Sequence, residues 1–204
     1  LRSRPIGAAS TERGPVTGAT IDRPRGDPRR RVAGLALVGA AVSVAFGVYA
    51  SVHEPSLETP YTLGFTGTIN LKVWFATLAL LLAGVQLVTA LRLYGKIALP
   101  RELPSWFGPL HRLSGTLAFA VSLPVAYHCL WGLGFQSDDT RSLAHSLFGC
   151  FFYGAFATKV LVVRAKGLPG WALPVAGGAA LTAVVGVWLT SSLWYFTTVD
   201  FPGF

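Results

Sequence analysis

The chain has 204 residues, of which 52% are hydrophobic and 13% charged, and its formal net charge is +8. A soluble domain carries about 25% charged residues, whereas the mean hydropathy here is +0.52. These values exclude a disordered chain, argue against a water-soluble domain and point to an integral membrane protein.

Residues 1–31 read as a basic tail rich in Arg, Pro, Gly, Ser and Thr, with no apolar periodicity. Alone, such a segment is expected to be extended or disordered, and to order only on a partner subunit. Five apolar stretches follow, at 32–52, 71–91, 106–131, 143–163 and 171–193, and 196–204 form a short closing tail. An α-helix needs about 20 residues to cross the hydrocarbon. Backbone groups in lipid must be satisfied internally, so the stretches are predicted to be helices. Pro124 and Pro174 fall inside spans, where a kink is expected. The predicted fold is all-α, a bundle of five transmembrane helices.

Lys and Arg set the expected orientation. Arg25, Arg29, Arg30, Arg31, Arg92, Lys96, Arg101, Arg112, Lys159, Arg164 and Lys166 fall at one face. Glu54, Glu58, Asp138, Asp139 and Asp200 fall at the other, with only Lys72 and Arg141 as cations. The positive-inside rule then predicts a cytoplasmic N-terminus, an extracytoplasmic C-terminus and a place in the cell's inner (cytoplasmic) membrane. The basic excess is accounted for by topology and lipid contact, with no nucleic acid as partner.

The four histidines carry the candidate chemistry. Ionisable residues inside spans are costly and mark sites by default, and histidine is a common axial ligand of haem iron. His53, His128 and His145 are expected at the outer face and His111 at the inner one. His128 and His145 have matched expected depths and a short connection between their spans, which favours antiparallel neighbours in contact. Two imidazoles could then face one iron. Gly149, one turn after His145, leaves room for a macrocycle. Phe148, Phe152, Tyr127 and Trp131 could wall it, and Arg141 could pair with a propionate. His53 could replace either ligand. Methionine is absent, so a His/Met haem is excluded, and His111 has no histidine partner at its own face; one haem is the expected limit. The inner polar cluster of His111, Arg112 and Ser114 could take a quinone or lipid headgroup. Each feature also has a bland reading: interfacial histidines bonded to headgroups, small residues serving helix packing and aromatics forming the interfacial belt. Cys129 and Cys150 are expected as buried free thiols, and no nucleotide-binding or hydrolase motif is found.

The strings Leu-His-Arg-Leu-Ser-Gly (110–115), Pro-Val-Ala-Tyr-His-Cys-Leu-Trp (124–131), His-Ser-Leu-Phe-Gly-Cys-Phe-Phe-Tyr-Gly-Ala-Phe (145–156) and Leu-Pro-Gly-Trp-Ala-Leu-Pro (168–174) resemble a family of uncharacterised membrane proteins of high-GC actinobacteria over roughly residues 32–195. More distantly, the paired histidines resemble the cytochrome b561 and ferric-reductase-like b-haem proteins. That likeness implies haem b with His128 and His145 as axial ligands and His53 or His111 as further candidates. The expected function is an electron-transfer subunit with one b-type haem, rather than a stand-alone enzyme. Its expected partners are the lipid bilayer, other subunits of a membrane complex, and a quinone or an extracytoplasmic redox protein. The alternatives are a non-catalytic anchoring subunit, and a metal-binding or transport protein.

Overall fold

The first helix starts where the Asp27 carboxylate accepts a hydrogen bond from the Arg29 amide at 2.9 Å and Pro28 takes the first helical position. Both are helix-starting signals, because they use amides that lack an intrahelical partner. In the computed structural model, which describes residues 27–56, 61–97 and 102–199, this helix is α1, Pro28–Val52. It is followed by α2 (Thr68–Leu93), α3 (Phe107–Leu133), α4 (Thr140–Arg164) and α5 (Ala172–Thr198). The described residues contain no strand. All five helices are long and apolar enough to cross a membrane, so the chain is a multi-pass membrane protein in a lipid bilayer. Arg29, Arg30 and Arg31, expected in the tail, belong to the first turn of α1. Residues 1–26, where the rest of that tail and its expected partner contact fall, lie outside the described residues.

Five crossings put the start of α1 and the end of α5 at opposite faces, here termed the N-side and the C-side. The outward surfaces are apolar, with Leu37, Val44, Val52, Leu81 and Val88 more than half exposed. Small side chains mark where helices meet. α1 packs on α4, α4 on α5, α5 on α2, and α2 on α3. In the N-side half, Gly39 of α1 and Gly154 of α4 lie so close that a Cβ on either would strike the other's backbone carbonyl. At Gly186 of α5 a Cβ would lie 2.6 Å from the ring of Phe148. α2 turns Ala76, Ala79 and Ala83 inward beneath the fully buried Leu71 and Val73.

One expectation about packing is corrected. α3 and α4 share a short connection, yet their backbones are not close partners. Their side chains meet across the interior instead. Phe119 and Phe156 stack at 4.2 Å between centroids, and the hydroxyls of Ser122 and Tyr153 lie 3.1 Å apart. The connection itself is pinned to α1: the Phe135 amide donates to the Ala50 carbonyl at 2.8 Å, and the Ser56 amide to the Trp131 carbonyl at 3.2 Å. A chain tied sideways to α1 in this way holds α3 off α4 and leaves space between them.

Two helices widen at the C-side. α3 passes into a π-helical turn at His128–Leu133, one turn after Pro124. The proline frees the carbonyl four residues before it, so the π turn is a separate widening further along the helix. α5 carries a second π turn at Leu189–Leu193.

Candidate functional site

The space between helices is a cavity of about 320 Å3 in the C-side half, walled by α2, α3, α4 and α5. Its lining is mostly apolar, with Ala76, Val125, Phe152 and Val184 among the wall residues. A few polar groups converge at its C-side end: Lys72 of α2, Arg141 and His145 of α4, and Ser191 of α5. An apolar chamber with a few placed polar groups is the usual form of a ligand site.

His145 lies five residues into α4, about 7.5 Å below its start at 1.5 Å per residue. Its Nδ1 lies 3.2 Å from the Thr190 hydroxyl in the π turn of α5. That hydroxyl has a single proton, and the Gly186 carbonyl accepts it at 2.7 Å. With that proton on the Gly186 carbonyl, His145 Nδ1–H is the donor and the lone pair falls on Nε2; the Val187 backbone is a further hydrogen-bonding neighbour of the ring. This is the tautomer in which histidine binds a metal through Nε2. Gly149, the next residue up the same face, also lines the cavity, and no atom lies within 4 Å of where its Cβ would stand.

Arg141 also borders the cavity, but its guanidinium is engaged elsewhere. Nη1 donates to the Thr190 carbonyl at 3.0 Å, Nη2 lies 3.9 Å from the Asp139 carboxylate, and Cζ sits 4.0 Å from the Trp194 ring centroid. Asp139 caps α4 by accepting from the Ser142 amide and hydroxyl at 3.0 and 2.7 Å. These bonds, with the Arg141 charge, hold its carboxyl below the usual carboxylate range.

The structure does not bring His128 onto the same wall. His128 lies five residues from the end of α3, matching the depth of His145, but its ring packs 4.6 Å from that of Tyr61. It is only 3% exposed, and the Tyr61 backbone lies within hydrogen-bonding reach of the ring. Its neighbour Cys129 does line the cavity, as does Cys150, and both are free thiols. His53 is elsewhere again: its ring lies 4.3 Å from Trp131 and 5.1 Å from Tyr49, and its Nε2 is buried without a partner. Tyr61 closes this aromatic rim; burial, followed by the neighbouring Tyr127, raises its pKa above the usual phenol value. Of the four aromatics expected to wall a flat ligand, Phe152 does so. Phe148 packs on Gly186, and Tyr127 and Trp131 stack on each other in the rim.

His111 belongs to a separate polar cluster in the N-side half. The Gln86 amide donates to the His111 carbonyl and to Ser114 Oγ (the latter at 2.9 Å), and its Oε1 accepts from Lys159 Nζ at 3.0 Å. Thr89 Oγ1 lies 2.8 Å from His111 Nδ1. The cluster ties α2, α3 and α4 together with bonds that lipid cannot replace.

Three residues central to this geometry escape a reading of the sequence. Lys72 and Lys159 look like topological charges, although both lie within helices; the depth of a lysine inside an apolar run is the signal. Thr190 is the first of the polar run Thr190, Ser191 and Ser192 in an otherwise apolar span, and that run is a signal of its own.

The profile of a family of unknown function, DUF6529, matches residues 32–203, which takes in all five helices beyond the first turn of α1. The chain belongs to that family. No curated protein and no solved structure matches it.

Proposed function

We propose that this member of the DUF6529 family is a membrane-embedded electron-transfer subunit that holds one b-type haem in the cavity. The observation that carries the reading is His145: an imidazole on the wall of an apolar chamber, paired through Nδ1 with Thr190, an arrangement that suits metal binding through Nε2. The residues fit the group in three further respects. The space over Gly149 is open. Lys72 and Arg141 border the end of the cavity where carboxylates would sit. His128 stands on the π turn whose next residue lines the wall. Bound haem would supply one-electron chemistry, its potential tuned by the axial ligand and by burial. The chain's own part is to hold the imidazole, exclude water with Phe152 and the alanines of α2, and meet the charged edge with Lys72. The basic N-side supports a cytoplasmic N-terminus in the inner membrane. The cavity then lies in the outer half, in reach of a quinone or an extracytoplasmic redox partner within a larger complex.

A second reading, a quinone site, is favoured by the fact that a single histidine lines the wall. Haem content decides between them. His145→Ala is expected to lose haem, and His128→Ala to lose it or convert it to a five-coordinate spectrum. His111→Ala, in the N-side cluster, is expected to keep it. Full haem in His145→Ala, measured as pyridine haemochromogen per folded chain, would overturn the assignment.

A further inference from the structure

The cavity has two boundaries of different strength. At the C-side, Arg141 crosses its end and is held by the Thr190 carbonyl, the Asp139 carboxylate and the Trp194 ring. Opening there breaks charge-assisted contacts. Sideways, the boundary is thin. A groove runs along the outside of the bundle between α1 and α4, lined by Val44, Gly47, Val48, Val52, Leu147 and Phe151. Cys150 and Phe135 line both this groove and the cavity, so these two side chains are the partition between them.

The local sequence explains the groove. α1 and α4 are in closest contact at Gly39 and Gly154, in the N-side half. Towards the C-side, Gly47 faces Cys150 with room to spare, since a Cβ there would stand 3.8 Å from the Cys150 sulfur. Val44, Val48, Val52 and Leu147 are about half exposed or more, an apolar lining that belongs in lipid. Neither partition residue has a side-chain hydrogen bond to break: one is a free thiol and the other a phenyl ring.

We infer that the cavity loads sideways from the bilayer, through the seam between α1 and α4, by displacement of Cys150 and Phe135. Its ligand is then a membrane-dissolved amphiphile with a broad apolar body and an anionic edge, the class to which haem belongs. The groove holds that apolar body during passage, and Lys72 meets the anionic edge inside. The inference rests on the cavity being a ligand chamber, as in the reading above.

The test uses the full chain in phosphatidylcholine vesicles, with two readouts. Phospholipid carrying a mid-chain diazirine is photolysed and adducts are mapped by mass spectrometry. Adducts are expected on Cys150 and Phe135 as well as on Val48 and Val52. Haemin partitioned into the vesicles is then offered to apoprotein. Filling the groove with Gly47→Phe, or with Val48→Phe should the first variant fail to fold, is expected to slow uptake about tenfold, a barrier increase of about 1.4 kcal/mol, and to remove the adducts on Cys150 and Phe135. Adducts confined to Val48 and Val52, or uptake rates unchanged in a folded filled variant, would overturn the lateral portal. If no variant takes haemin while the adducts on Cys150 and Phe135 come and go with the filling, the haem reading falls and the portal stands.

Discussion

At the scale of single residues, proton positions are fixed by counting donors. Thr190 and Thr89 each spend their one proton on a carbonyl four residues back, at 2.7 Å in both cases. With the proton placed there, each accepts from the histidine beside it. That rule turns His145 from a residue at a suitable depth into one with a defined free nitrogen, and no reading of the sequence could have supplied it. Candidacy of His145 was legible because histidine is rare in this chain and costly in lipid; its orientation was not, because Thr190 lies in another helix. Asp139 offers an independent residue-scale test. Its folded pKa is depressed, so its contribution to the start of α4 is present above the unfolded carboxylate value of about 3.9 and is lost as pH falls through the lower folded value. Asp139→Ala is expected to lower the melting midpoint in detergent by a few degrees at pH 6. The gap from wild type should close as the pH is taken below about 4. A gap that persists into strong acid would mean that the cap works without its charge.

At the scale of helices, the five spans were legible because lipid allows so few alternatives to a long apolar helix. The observed helices outrun the apolar stretches: α4 begins at Thr140, α2 at Thr68, and α5 runs on to Thr198. Caps and polar first turns extend a helix beyond its hydrophobic run, as Asp139 does for α4. Packing order was not legible. Helices surrounded by lipid are apolar on every side, so no amphipathic stripe announces the buried face, and connection length misled for α3 and α4. What decides the order is where small residues allow backbones to touch. Gly39→Ala puts a methyl into Thr158 Oγ1 and the Gly154 carbonyl, and is expected to destabilise the fold by about 1–3 kcal/mol. Gly177→Ala, with nothing within 4 Å of its Cβ position, is expected to be neutral or slightly stabilising. Comparison of the two in a denaturation series checks the α1–α4 crossing; equal stability would refute it. The π turns were hidden too.

At the scale of the whole molecule, the two halves are built differently. The N-side half is closed, by the Gly39–Gly154 crossing, the Phe119–Phe156 stack and the bonds around Gln86. The C-side half is open, because the connection after α3 is tied to α1 and the widened ends of α3 and α5 stand apart around the cavity. One chamber near one face suits a subunit that exchanges electrons at that face and relies on a partner for any path across the bilayer. A dithionite-reduced minus oxidised visible spectrum of the purified protein decides whether this chamber holds haem. A sharp b-type α-band with about one haem per chain is expected; a flat spectrum from folded protein produced with ample haem would rule the haem out.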